Sequence, residues 1–327
     1  MKALRPINFG YLFTKLKISE KSAKMKVITK EAIQRREYWV EEIRKISGNF
    51  GDNSERLENE LSEEIKKEGT GSLIDHLRLS GDIPESYGHD TSEEKQYSKY
   101  TDALLSETYK SLGLKSLVLK ERADAADVEA FARNYSFVAD AKAFRLSRTA
   151  KNQKDFKIQA MDGWKRGKPY AMVVCPIYQL PTKSSQIYEQ ASSRNVCIFT
   201  YSHLAMLVSF SLLESKEKAE ELIHEIFKVI PALNPSKDAS QYWLAVNKTM
   251  LGFSKKIDDL WKLEKQAAVE SIIAAKQEAL TFLAAEREKI MRMSHEEALK
   301  ELIQVHKIES RIKVINSVSD NGLLGIR

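Results

Sequence analysis

Two short apolar runs on either side of an amphipathic segment constrain this chain more than any other feature. Tyr170 to Cys175 and Val196 to Tyr201 are runs of strand length, and Lys183 to Ser193 between them has helical spacing. Strands joined by so long a connection pair in parallel, because a hairpin needs only a short turn. An α/β core follows. Upstream, Val128 to Phe131 and Tyr135 to Phe144 read as two strands joined at Arg133-Asn134, and Ser202 is placed to cap a helix running to Leu213.

Helical patterns flank this core. Tyr38, Trp39, Ile43 and Ile46 fall at helical spacing, Gly48 to Asn53 breaks the pattern, and Leu57, Leu61 and Ile65 recur four apart. Gly69 to Gly71 marks a boundary. Residues 73 to 122 read as further helix, with a turn at Pro84 to Gly88 and an amphipathic segment from Glu93 to Leu112 that ends at Gly113. Ile257 to Met293 holds few helix breakers. Ser294 and Glu297 form a capping box that opens a helix towards Ile312. No clean heptad repeat is present, so a packed helical subdomain is expected there, with a loose tail from Ser317 to Arg327.

The hydrophobic fraction of 43% suffices for a core, and the low counts of Gly (13) and Pro (7) exclude collagen-like, linker and turn-rich all-β chains. Two cysteines exclude a disulfide framework or a Cys-rich zinc module and suit a reducing cytoplasm. Cys175 and Cys197 lie in apolar runs and read as buried core thiols. The six histidines are too scattered for an HNH nuclease or zinc finger. Gly163 to Lys168 is no P-loop, because its glycines are one residue too close and Pro169 follows. Leu204 to Leu213 is far short of the roughly 20 apolar residues that span a bilayer. Lys15 and Lys17 interrupt the apolar N-terminus before a signal segment forms. A soluble cytoplasmic protein without membrane association is expected.

The net charge of +6 is unevenly spread. Residues 142 to 168 hold nine basic side chains against Asp155 and Asp162, a local charge of +7, so the remainder of the chain sums to about −1. Such a patch is the footprint of a phosphate-backbone binder. From Lys142 to Lys157 the basic residues recur every third position. On a regular helix those steps wrap around the axis rather than forming a stripe, so a loop or distorted turn around a polyanion fits better.

Within Phe137 to Lys142, strand alternation puts Phe137, Ala139 and Ala141 on one face and Val138, Asp140 and Lys142 on the other. A hairpin would bring Asp127 beside Asp140. Two carboxylates and a backbone carbonyl make a hard oxygen site suited to Mg2+, and a Lys one step along the strand can activate water. This is the acid, then Asp/Glu-x-Lys pattern of PD-(D/E)xK nucleases, with Ala126 where the proline would stand.

The segment Phe137 to Lys157 resembles the central segment of the HindIII-like type II restriction endonucleases almost residue for residue. The resemblance continues through Gly81 to Glu85, Glu94-Lys95, Ser98-Lys99 and Ala126 to Val128. Downstream it takes in Tyr178-Gln179, Pro181-Thr182, Ser185 to Ile187 and Glu296 to Ala298. It covers about residues 73 to 313 and leaves the first 72 without a counterpart. It implies an α/β PD-(D/E)xK nuclease core, a mixed sheet flanked by helices, with large helical N- and C-terminal additions. The division expected is a helical N-terminal extension (1–72), a nuclease core with the catalytic and DNA-reading segment (73–235) and a helical C-terminal subdomain (236–327).

The resemblance further implies a homodimeric, Mg2+-dependent endonuclease that cuts double-stranded DNA at the palindrome AAGCTT, leaving 5′ overhangs and 5′-phosphates. By position, Asp127, Asp140 and Lys142 would be catalytic, with Asp127, Asp140 and the Ala141 carbonyl as metal ligands and Glu94 as a carboxylate behind them. Arg145, Ser147, Arg148, Lys151, Asn152, Lys154, Asp155 and Lys157 would bind DNA. Asn152 can pair with adenine, basic side chains with guanine, and Asp155 with cytosine N4 or with a structural Lys. Host protection would come from a separate DNA methyltransferase, since no methyltransferase motif is present. The alternatives are a sequence-specific DNA-binding protein without nuclease activity and a repair or recombination nuclease.

Overall fold

A computed structural model describes residues 26–46, 49–119, 125–148 and 153–317. Among the described residues four helices come first: α1 (Lys30–Lys45), α2 (Phe50–Glu68), α3 (Thr70–Leu79) and α4 (Ser92–Ser111). Thr29, Asn49 and Thr91 cap three of them with side-chain oxygens. Gly69, at φ 83°, ends α2 and leads directly into α3, since a left-handed residue reverses the chain at little cost.

Gly113, at φ 92°, stops the chain's helical course after α4, and β1 (Lys115–Val118) follows. The expectation of helix to residue 122 is thereby corrected. This edge strand exposes alternate residues and has no apolar run to announce it. Then come β2 (Val128–Phe131) and β3 (Ser136–Ala141), α5 (Gln153–Phe156), α6 (Ile158–Trp164), β4 (Tyr170–Cys175), α7 (Gln186–Ser193) and β5 (Val196–Thr200). The five strands of the described residues form one mixed sheet in sequence order. β1, β2 and β3 pair antiparallel, and β3, β4 and β5 pair in parallel. Helices flank the sheet: α4 packs on β1 to β3, and α6 and α7 pack on β4 and β5.

Element ends shift for local reasons. Residues 183–185 form a bridge with 237–239, so α7 begins at Gln186 behind Ser185 rather than at Lys183. β3 leaves the ladder after Ala141 because Phe144 exchanges backbone hydrogen bonds with Gly81 and Ile83. The next helix, α8 (Tyr201–Leu213), is capped by Thr200 and not by Ser202. Thr200 ends β5 in an extended conformation, and its hydroxyl accepts from the His203 amide.

The chain continues as α9 (Lys216–Val229), α10 (Ala239–Phe253), α11 (Lys256–Arg292), α12 (His295–Val305) and α13 (Ile308–Ser317). The capping box at Ser294 and Glu297 is present. One hydrophobic core runs from Trp39 to Trp261 and joins α1 and α2 to the sheet and to α8, α9 and α10. Cys175 and Cys197 are both buried in it. α11 is buried on one side as far as Ala279, but its last turns are exposed, and no residue of α12 is buried. The C-terminal helices are thus only partly packed, because beyond Ala279 they extend past the core. The suggested tail falls outside the described residues except for its first position. No helix among the described residues is long and apolar enough to cross a membrane.

Candidate active site

The β2–β3 hairpin brings two carboxylates together. Val128 stands opposite Ala139, so Asp127, one residue before β2, meets Asp140 across the antiparallel pair. Asp140 is fully buried, and its Oδ2 lies 2.5 Å from Lys142 Nζ. Lys142 is also held by its backbone. Its amide donates to the Val174 carbonyl at 2.7 Å, and its carbonyl accepts from the Tyr201 hydroxyl at 3.1 Å.

Helix α4 adds a second basic residue and a third carboxylate. Lys99 Nζ lies 3.3 Å from Asp102 Oδ2 and 3.6 Å from Asp127 Oδ1. Burial, and then the negative charge of Asp140, pushes Asp127 up to about 6 against the pull of Lys99 and Lys142. Asp102 is raised by burial first and by Asp127 next. Lys142 stays above the ordinary lysine range. Burial acts to lower it, but the charge of Asp140 leads the opposing effects and prevails.

Asp140 Oδ1 is buried and has no hydrogen-bond partner among the described residues. A buried carboxylate oxygen normally finds a partner. An unmet oxygen beside a second carboxylate whose ionisation is suppressed by burial first and by the neighbouring negative charge next is the donor chemistry of a hard divalent cation. The residues present therefore fit such an ion.

Glu94 has other partners. Its Oε2 accepts from the Asp90 amide at 2.7 Å, and its Oε1 lies 3.4 Å from Arg145 Nη1. With His89 and Asp90 it forms the single grouping of three potential metal-ligating side chains among the described residues, and that grouping is largely exposed.

A family model for the HindIII restriction endonuclease matches residues 36–319. The chain belongs to the HindIII restriction endonuclease family. The type II restriction enzyme HindIII of Haemophilus influenzae is 34% identical to it over 272 residues, covering 79% of this chain and 87% of that enzyme. Membership places the chain among the site-specific endonucleases. The match begins inside α1, so most of the first two helices have a family counterpart, and the expected limit at residue 73 is too narrow.

The basic segment after β3 is irregular up to Arg148, whereas its later part, from Gln153 to Trp164, forms the short helices α5 and α6 where a loop or distorted turn was expected. Its described side chains from Arg145 to Arg148 are largely anchored. Arg145 Nη2 donates to the carbonyls of Tyr87 (3.0 Å) and Gly88 (2.8 Å), which ties the segment to the turn before α4. Ser147 donates to Glu85 through both its amide and its hydroxyl, each at 2.8 Å. Arg148 forms an ion pair with Asp155 and covers the Phe144 ring at 5.3 Å, so an arginine is one structural partner of Asp155. Lys157 has a left-handed φ of 48° and an exposed side chain, with its Nζ 5.4 Å from the Trp164 ring. Lys151, Asn152 and the Lys154 side chain lie outside the described residues.

Lys99, Asp102, Tyr201 and Glu85 were not singled out as site residues by the sequence. Lys99 and Asp102 carry a faint signal, a Lys and an Asp three apart on a helix. Tyr201 carries none, since its role depends on where β5 ends.

Proposed function

We propose that this family member is a Mg2+-dependent homodimeric endonuclease that cuts both strands of double-stranded DNA at AAGCTT, leaving 5′ overhangs and 5′-phosphates. The observation that carries this reading is the unpartnered Oδ1 of Asp140, which stands beside Asp127 while Lys142 occupies the other oxygen. Asp127, Asp140 and the Ala141 carbonyl would hold the ion. A divalent cation there supplies positive charge against the scissile phosphate and makes the attacking water easier to deprotonate.

The chain's own residues do the rest. Lys142, fixed by Asp140, Val174 and Tyr201, orients the water in line with the 3′-oxygen, which leaves as the 5′-phosphate forms. Lys99 steadies Asp127. The basic array in residues 142–168 faces the phosphate backbone, and the segment from Ser147 to Lys157, with Asn152 at its centre, reads bases. Arg145 and Glu94 brace the base of that segment. Residues 73–235 serve as the nuclease core, with the flanking helical segments packed on it. A two-fold dimer suits a palindrome. The enzyme would work in the cytoplasm beside a separate methyltransferase that protects host DNA.

The test is digestion of a fully sequenced plasmid with purified protein and Mg2+, with and without EDTA, followed by sequencing of the fragment ends. Discrete fragments ending within AAGCTT, lost in EDTA, are the expected result. Fragments at another palindrome would overturn the reading of the Ser147–Lys157 segment. Intact DNA that shifts on a gel would instead point to a binder without nuclease activity. Lys142→Ala is expected to retain specific binding and lose cleavage, and persistent cutting by that variant would remove Lys142 from the mechanism.

A further inference from the structure

Fourteen of the twenty-two exposed large apolar side chains among the described residues lie between Val269 and Ile315. They are ordered along the helices. On α11, Val269, Ile273, Leu280, Leu283 and Ile290 are all exposed, Leu280 at 65%, and they follow spacings of four, seven, three and seven. With Lys276 and Arg287 at the intervening positions, these residues complete an alternating four-and-three pattern, the spacing of a coiled-coil contact line, and those two charged positions are why no clean heptad shows in the sequence. This line lies to one side of the buried face, where Glu264, Ala267, Ser271, Ala275 and Ala279 meet the body of the molecule. On α13, Ile308, Ile312 and Ile315 form a second exposed line at spacings of four and three.

We infer that the exposed apolar lines of α11 and α13 together form the surface on which a second copy of the chain docks about a two-fold axis. Three arguments select that occupant. Helices of ten or eleven residues without a buried face are marginal alone in water, so α12 and α13 call for a cover. The area is sufficient: a standard interface buries roughly 800 Å2 on each partner, and apolar side chains of this number and size expose an area of that order. The charge is also suitable. Residues 280–317 contain seven basic and six acidic side chains, nearly balanced, which suits neither the DNA backbone nor an anionic membrane. Several of these charges already pair within the helix, as Lys300 with Glu296 at 2.7 Å and Arg292 with Glu288 at 3.2 Å. A neutral apolar face matches an identical face, which is the condition for an isologous contact.

The inference rests on the homodimer proposed above, and its test separates the two. The mass of the full chain is measured by light scattering, alone and with an AAGCTT duplex, for wild type and for the double variant Ile273→Glu/Leu280→Glu. Both side chains are more than half exposed, so the fold is expected to survive, and circular dichroism checks this. Wild type should be a dimer, and the variant a monomer whose dissociation constant is raised on the order of 100-fold or more. A variant that remains dimeric overturns this interface and leaves the homodimer standing. A wild type that is monomeric with and without DNA overturns both.

Cross-linking gives a second readout that does not depend on a disruptive variant. Single substitutions Ile273→Cys, Leu280→Cys, Leu283→Cys and Ile290→Cys are oxidised in turn, with Leu251→Cys on α10 as control. The native cysteines are buried and remain silent. A covalent dimer at one or more positions on the line, absent from the control, is expected. No cross-link anywhere along the line would overturn the proposal.

Discussion

Lys142 is fixed at three points, through its amide, its carbonyl and its ammonium group, before any substrate arrives. The ammonium is buried against a buried carboxylate, and breaking such a pair on one side strands the other charge. Asp140→Asn is therefore expected to destabilise the protein by about 3–5 kcal/mol in urea denaturation. Adding Lys142→Met should recover much of that loss without restoring cleavage, which separates the structural role of the pair from its chemical role. Asp127 offers a pH test. Its folded pKa, about 6, lies above its ordinary value, so its stabilising contribution is complete below the unfolded value and is lost as pH rises through 6. His203 runs the other way. Burial lowers it to about 4, so its contribution is present above its unfolded value and fades as pH falls towards 4. Melting temperatures of wild type and Asp127→Asn in EDTA isolate the aspartate: the advantage of the Asn variant should grow between pH 4 and 7. A constant difference across that range would refute the assignment.

The site is made where elements end. β3 delivers Asp140 and then leaves the sheet, and the Phe144 backbone locks onto Gly81 and Ile83. Gly81 has no room for a side chain, since a Cβ there would stand 2.6 Å from Pro176 Cβ. Gly81→Ala is expected to cost about 1–3 kcal/mol by overpacking and to reduce cleavage more than DNA affinity, because Gly81 holds the Phe144 backbone two residues after Lys142. Urea denaturation and single-turnover cleavage together check this. At the other junction, β5 runs into α8 without a loop, and this puts Tyr201 in reach of the Lys142 carbonyl. The pattern of apolar residues made β4 and β5 legible because both are continuous buried runs. It left β1 unread because an edge strand buries only part of one face.

The main core of the described residues includes the helices before the sheet. Ile43, Leu57 and Leu61 are fully buried in it beside strand and C-terminal residues. Ile43→Ala, far from the candidate site in sequence, is expected to lower stability by about 2–5 kcal/mol within a single cooperative transition. A separate early transition would mean that the N-terminal helices unfold alone. Buried Cys197, with its thiol pushed up to about 12, should stay unreactive towards thiol reagents until that transition.

By itself the sequence determined the α/β class, the parallel pair, the Asp127, Asp140 and Lys142 constellation and the concentration of positive charge after β3. Each of these is a local property, carried by alternation along a strand, by a spacing or by a run of one charge. Only the tertiary structure decided that Lys99 and Asp102 join the carboxylates, that Tyr201 anchors Lys142, and that Arg145 and Ser147 are fastened to Tyr87, Gly88 and Glu85. It also decided that α1 and α2 belong to the common core, whereas the far end of α11 does not. These contacts join residues far apart in the chain. The free energy that selects them comes from burial and from pairing charges away from water, and neither is encoded in a window of neighbouring residues.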